Sequence, residues 1–416
     1  MPSFLQKAAD WLSPRRIRAH AIILALCVWG VVIVDLAVPG IMDRAGNIKF
    51  QDFLPFYIAG REVAQNQPGD LYQPQVGDHE VEALLGHPTP VRVPFAYGPQ
   101  VAFCFSFFGR FSFLAAAMLW TILTIILYFF CCWLVWRSCP TLQADPGLIA
   151  LLVLAFPPFF HFVLRGQISA VVLACFAVAF YAFQAKHDWL ASFALGSLVF
   201  KPQFLIAVAV IFVAARGWKL LGGVAIAVAA QLGFAWAYFG PTVMRSYAAA
   251  LWRITHSTAL VEPGYAAAQM HSLRSFWWLL IPWPAAVSAL YGLSAFAVLV
   301  LAVSCWKSSG PLALRFPALI LAAILVNPHL FVYDLLVLAP ALLLLADWAL
   351  QNLQHPGSPA LRVLLYLTYL LPLFGPLALW THVQLSVPAL VAILWLLWHI
   401  LKEDARVHLS PAAAAS

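Results

Sequence analysis

Ser112–Trp136 reads SFLAAAMLWTILTIILYFFCCWLVW, a run without a single charged residue. As a helix rising 1.5 Å per residue, it is long enough to cross the roughly 30 Å hydrocarbon core of a bilayer. The rest of the chain is of the same kind. Of its 416 residues, 63% are hydrophobic and only 9% charged, and the mean hydropathy is +0.88. A water-soluble domain carries about a quarter of its residues as charges. Most of this chain must therefore face lipid or other helices, which makes it an all-α integral membrane protein.

Working outward from that run, the first span covers about 21–38. Further apolar segments lie at 97–109, 147–164, 167–185, 189–200, 203–215, 218–239, 282–306, 312–326, 331–349, 359–379 and 386–401, so 10–13 membrane segments are expected. Lys7, Arg15, Arg16 and Arg18 precede the first span, which lacks a small-residue cleavage site. It reads as uncleaved, with its basic flank (1–20) in the cytoplasm. Residues 21–402 then form one membrane domain with two large external loops, 40–95 and 240–281, and 403–416 is a disordered cytoplasmic tail. Segments 97–109, 189–200 and 203–215 are short for a crossing. Re-entrant or broken helices of that kind are tolerated where they line a protein-enclosed cavity. Pro68-Gly69-Asp70 and Pro88 mark turns in the first loop.

Several function classes are disfavoured. The net charge of +7 comes from dispersed basic residues, unlike a nucleic-acid-binding face. The seven cysteines lie mostly inside apolar segments and form no CxxC, so neither a disulfide framework nor a zinc site is expected. No HExxH, P-loop or dinucleotide fingerprint occurs, and no cofactor or metal ligand set is called for. The absence of an internal repeat weighs against a secondary transporter.

The polar residues that remain are few. Loop 40–95 holds seven of the sixteen acids, among them Asp52 in FQDFLPFYIAGR (Phe50–Arg61). Phe53, Phe56, Tyr57, Gly60 and Ala64 recur at helical spacing, predicting a short amphipathic helix on the membrane surface that Asp52 opens. Asp52 is either an ordinary N-cap or a catalytic base. Asp35, near the end of the first span, reaches the interface or shares that role. Arg165-Gly166-Gln167 is a turn, or a pair of donors to phosphate and sugar oxygens. Lys201-Pro202-Gln203 sets a lysine between two apolar stretches, where it snorkels or faces a cavity with an anion. Asn327-Pro328-His329 with Tyr333 and Asp334 groups His, Tyr and Asp at another junction, Asp334 being placed to orient His329 or Tyr333. Loop 240–281 carries Arg245, Arg253, His256, Glu262, His271 and Arg274, which contact an acceptor or headgroups, or are plain surface.

The order of these motifs resembles glycosyltransferase family 87, over roughly residues 20–400. The Asp52 helix follows the first span, then come Pro94-Phe95-Ala96-Tyr97-Gly98-Pro99, Arg165-Gly166-Gln167, Lys201-Pro202-Gln203 and Asn327-Pro328-His329. The resemblance implies a GT-C-type helical bundle in the bacterial cytoplasmic membrane. It implies an inverting hexosyltransferase that moves mannose from a polyprenyl-phosphate donor to a lipid or glycan acceptor on the periplasmic side. It also implies that Asp52 is the catalytic aspartate and that Lys201 and His329 line the active site; with Asp52 as general base, Lys201, Arg165 and His329 are the candidates around the donor phosphate, and Tyr97, Tyr57 and Gln167 those around the sugar. Asp334, Tyr333 and Asn327 would support them, and Arg253, His271 and Arg274 would serve the acceptor. A carrier or flippase, or a polymerase or ligase for lipid-linked saccharides, remains the alternative.

Overall fold

A computed structural model of the chain describes residues 4–87, 93–256 and 268–409. Pro88 and Glu262 therefore lie outside the described residues. The fold is all-helical. No strand forms among the described residues, where two isolated bridges occur, Met42 with Ile48 and Met270 with Phe331.

Proline sets many of the boundaries. Pro14, Pro99, Pro146, Pro157, Pro202 and Pro284 each open a helix, where the missing N–H costs nothing and φ is already helical. Among the described residues, seven helices are long and apolar enough to cross a membrane: Pro14–Leu36, Phe113–Trp136, Trp218–Arg253, Pro284–Lys307, Val332–Gln351, Ser358–Thr381 and Ser386–Arg406. The expected segment 147–164 is instead two helices, Pro146–Leu154 and Pro157–Arg165, bent by 46° at the Pro157-Pro158 break, and together they would make an eighth span. Ser169–Gln184, Asp188–Phe200, Pro202–Ala214 and Leu312–Leu325 are shorter apolar helices. The count of 10–13 is thus reached only if these shorter helices are included.

Two expected boundaries move. Residues 240–256, read as the start of a loop, are helical; Gly240, at φ +76°, kinks the chain between two helices that run on to His256. The C-terminal helix Ser386–Leu409 runs through the start of the expected disordered tail, leaving 410–416 outside the described residues.

Leu312–Leu325 sits at the centre, buried along almost its whole length, with Val332–Gln351 beside it. Pro14–Leu36, Trp218–His256 and Pro284–Lys307 form the periphery and expose Ile33, Trp236 and Phe296, as a lipid-facing helix must. At the end of the first span, buried Lys49 donates to the carbonyls of Leu36 (3.2 Å), Val38 and Gly40 (3.1 Å). An ammonium there satisfies carbonyls that the helix leaves open and fixes where the chain turns toward Asp52.

The helix Leu54–Ala64 is not a surface element as expected. It is buried on most sides under Pro99–Phe105 and the start of Phe113–Trp136, with Phe53 and Phe56 at most 1% exposed. Gly60 allows that depth: a Cβ there would lie 2.2 Å from the Phe105 carbonyl oxygen. Gly60→Ala must push the two helices apart, at a cost of about 1–3 kcal/mol. A lowered thermal unfolding midpoint checks this, and an unchanged midpoint would contradict the packing.

Candidate active site

Asp52 lies in a single 3₁₀ turn, Gln51–Phe53, before that buried helix, and its carboxylate makes no N-cap bond. It is partly exposed and accepts from Gln167 Nε2 at 3.1 Å, while the same amide lies 3.2 Å from the Tyr333 hydroxyl. Tyr333 thus meets Asp52 through the Gln167 amide, and its hydroxyl favours the ionised carboxylate. The cap reading of Asp52 therefore gives way to a carboxylate held by side chains from two distant parts of the chain.

Arg165-Gly166-Gln167 is the C-terminal end of the helix Pro157–Arg165, with Gly166 in the left-handed region at φ +68° and its N–H on the Phe162 carbonyl. That cap suits glycine because a Cβ is disfavoured there. Here one would also meet the Cβ atoms of Phe53 at 3.0 Å and Phe50 at 3.1 Å. The turn is thus pressed directly against the Asp52 segment. Arg165 Nη1 donates to Gln51 Oε1 at 3.3 Å, and Trp120 Nε1 donates to the Gly166 carbonyl at 3.1 Å.

Lys201 is 4% exposed, and its ammonium pairs with Asp334 Oδ1 at 2.5 Å; Ser169 Oγ donates to the same oxygen at 2.6 Å. The lysine is therefore neutralised by the protein rather than left open for an anion. Asp334 likewise bonds Lys201 and Ser169, and no hydrogen bond joins it to His329 or Tyr333 among the described residues. The Tyr333 ring lies 5.9 Å from the Lys201 ammonium, which places the ion pair directly behind the Asp52–Gln167–Tyr333 group. Asn327 caps the next turn, its Oδ1 accepting from the His329 N–H at 2.9 Å.

His329 is half-buried beside Phe331, with ring centroids 4.9 Å apart. Burial lowers its pKa, the Asp334 charge opposes that shift, and the Lys201 and Arg274 charges add to it. The net effect favours its neutral form. Asp52 is shifted the other way. Burial raises its pKa, and Asp334 adds to that, while Arg165, the Gln167 hydrogen bond and the Tyr333 hydroxyl pull it down. Tyr97 packs on Phe56 at 4.7 Å and feels the charges of Lys201, Asp334 and Asp52, so it borders the same space.

Three expected members stand elsewhere. Tyr57 is buried against Phe113, and its hydroxyl donates to the Phe111 carbonyl at 2.9 Å, away from the cluster. His271 is fully buried rather than on an acceptor loop. Its Nδ1 lies 2.6 Å from Ser386 Oγ, its N–H donates to the Leu330 carbonyl, and burial drives its pKa down to about 3. Arg253 is exposed and donates to the Tyr72 carbonyl at 3.2 Å. Arg274 sits close enough to act on His329, and among the described residues neither it nor Arg165 has a carboxylate partner. Ser169 and Gln51 went unread in the sequence, although each lies within two residues of a residue singled out there. Among the described residues no group of three or more His, Cys, Asp or Glu could hold a metal ion.

A many-helix membrane protein with a hydrogen-bonded carboxylate among amide, phenol and guanidinium groups has the parts of a membrane-embedded enzyme. A model of glycosyltransferase family 87 matches residues 95–328, more than half of the sequence. The chain belongs to that family and is a membrane glycosyltransferase. No curated protein and no solved structure matches it. The matched stretch takes in Tyr97, Arg165, Gln167, Lys201, Arg274 and Asn327, whereas Asp52, His329, Tyr333 and Asp334 fall outside it.

Proposed function

We propose that this enzyme transfers a hexose, mannose as the family resemblance implies, from a polyprenyl-phosphate donor to a hydroxyl of a lipid or glycan acceptor. The site faces the periplasm of a bacterial cytoplasmic membrane, the basic residues before the first span holding the N-terminus on the other side. Asp52 takes the acceptor proton as that oxygen bonds to the sugar C1, with inversion. The bond from C1 to the phosphate oxygen breaks, and its electron pair leaves on the phosphate. Fixed positive charge is worth most where charge grows in the transition state. Lys201 is already matched by Asp334 and His329 favours its neutral form, so Arg165 and Arg274 are the groups left for the phosphate. Tyr97 and Gln167 border the sugar, and Lys201, Asp334 and Ser169 hold Tyr333 in place from behind.

The observation that carries this reading is the partly exposed Asp52 carboxylate, held by Gln167 beside Arg165, which among the described residues has no carboxylate partner. The purified protein in lipid, given radiolabelled polyprenyl-phosphate-mannose and a membrane glycolipid extract, is expected to label the acceptor fraction. Label that only crosses sealed vesicles, without transfer, would replace the enzyme by a carrier.

The pH dependence follows from the Asp52 environment. A base works ionised, so kcat/KM rises with pH through the Asp52 pKa, which lies above the ordinary carboxylate range. Gln167→Leu removes a hydrogen bond that favours the charged form. The acidic limb of kcat/KM is therefore expected to move to still higher pH in that variant. An unmoved limb would sever Gln167 from the base.

A further inference from the structure

The half of the bundle opposite Asp52 contains a cavity of about 270 Å³ that the transfer site does not use. Its walls come from five helices, with Ile17 and Leu24 on the first span, Tyr128 on Phe113–Trp136, Leu152 on Pro146–Leu154, Ala346 on Ala339–Gln351, and Leu365 and Tyr369 on Ser358–Leu370. The polar groups along it are already engaged. The Tyr128 hydroxyl donates to the Val153 carbonyl at 2.9 Å, the Tyr369 hydroxyl to the Leu152 carbonyl at 2.8 Å, and His20 Nδ1 lies 2.5 Å from the Tyr366 hydroxyl. A cavity that offers water no partners stays dry and accepts apolar guests.

Its extent and its rim narrow the guest. The cavity follows the first span from Pro14 to Leu24, which at 1.5 Å per residue is about 15 Å, the depth of one leaflet. At the Pro14 end, Arg362 donates to the Ala9 carbonyl at 2.8 Å, while the Arg16 guanidinium lies 5.0 Å over Trp11 and donates to its carbonyl at 3.0 Å. Arg18 is paired with Asp145 at 2.5 Å, but among the described residues neither Arg16 nor Arg362 has a carboxylate partner. An apolar slot one leaflet deep, with Arg362 in its wall and Arg16 two residues along from Pro14 at that end, neither facing a carboxylate among the described residues, has the complementarity of a hydrocarbon chain joined to an anionic headgroup. The tail of the sugar donor starts at the other end of the bundle, near Arg165. It would first have to descend the helix Pro157–Arg165, about 13 Å.

We propose that this cleft binds one acyl chain of an anionic glycerophospholipid from the leaflet opposite the active site, its phosphate on Arg16 and Arg362. The lipid pins the N-terminal helix Phe4–Trp11 and the first span to Ser358–Leu370. The proposal stands apart from the transferase reading.

Native mass spectrometry of the full-length protein, titrated with phosphatidylglycerol, phosphatidylcholine or polyprenyl phosphate, tests it. Wild type is expected to retain one phosphatidylglycerol in preference to phosphatidylcholine. Ala346→Phe, which fills the slot, is expected to lower that retention at least about tenfold. Arg16→Gln with Arg362→Gln is expected to erase the headgroup preference, at roughly fivefold per arginine. Equal binding of both phospholipids to wild type, or retention unchanged by Ala346→Phe, overturns the proposal. Polyprenyl phosphate as the only lipid displaced by Ala346→Phe also overturns it and gives the slot to the donor. Should Ala346→Phe not fold, the rim variant decides alone, and an unchanged preference for phosphatidylglycerol refutes the site.

Discussion

Asp52→Asn is expected to lower sugar transfer by about 10²–10⁴-fold while donor binding persists, because the amide keeps the size of the carboxylate but accepts no proton. That loss corresponds to about 3–5 kcal/mol of barrier, at roughly 1.36 kcal/mol per decade. The variant should fold, since an asparagine oxygen can still accept from Gln167, the 3.1 Å contact that positions the side chain. Turnover measured beside a donor-binding titration separates chemistry from binding. Asp35→Asn is the matched control: Asp35 sits near the end of the first span, outside the hydrogen-bonded cluster, and its transfer rate should stay at the wild-type level. Equal turnover by Asp52→Asn and wild type would remove Asp52 from the chemistry altogether.

The second large effect belongs to the ion pair behind the site. Lys201→Met leaves the Asp334 charge 3% exposed and unmatched; Asp334→Leu leaves the Lys201 charge, 4% exposed, unmatched in turn. Removing one partner of a buried pair costs about 3–5 kcal/mol, whereas replacing both by apolar groups of similar volume is often neutral. Each single variant should therefore lose stability heavily, and Lys201→Met with Asp334→Leu should regain most of it. Thermal unfolding in one detergent, arranged as a double-mutant cycle, reads this directly. Strictly additive losses would mean that the two side chains do not depend on one another. The paired variant also separates stability from activity, because Tyr333 loses the charged support beneath it even when the fold is restored.

The apolar segments were legible because lipid demands long uncharged runs, and proline and glycine marked their ends. The motifs around Asp52, Arg165, Gln167, Lys201 and Asp334 were legible because polar residues are rare in such a chain. Which of them touch was not. Lys201 and Asp334 lie 133 residues apart, and no local periodicity reports a pairing over that distance. The helical spacing of Phe53, Phe56 and Tyr57 marks a buried face but does not distinguish burial in lipid from burial in protein, so Tyr57 was drawn to a pocket it does not line. His271 was misplaced for a related reason. A histidine between apolar segments looks accessible until Ser386, far along the chain, is folded against it. The helix after Gly240 was hidden because a Gly-Pro pair ordinarily ends a helix, and here it only redirects one.

The distance between Lys201 and Asp334 has a consequence for how the protein is made. At 5–20 residues per second, synthesis brings the aspartate to the membrane roughly 7–27 s after the lysine. During that interval an ammonium without its counter-ion lies between two apolar helices, each too short to span the bilayer untilted. Until Val332–Gln351 is made, residues 188–214 carry a charge that the hydrocarbon core disfavours. The ion pair behind the Asp52 cluster is thus a late contact, closed only once the chain has been made past Asp334.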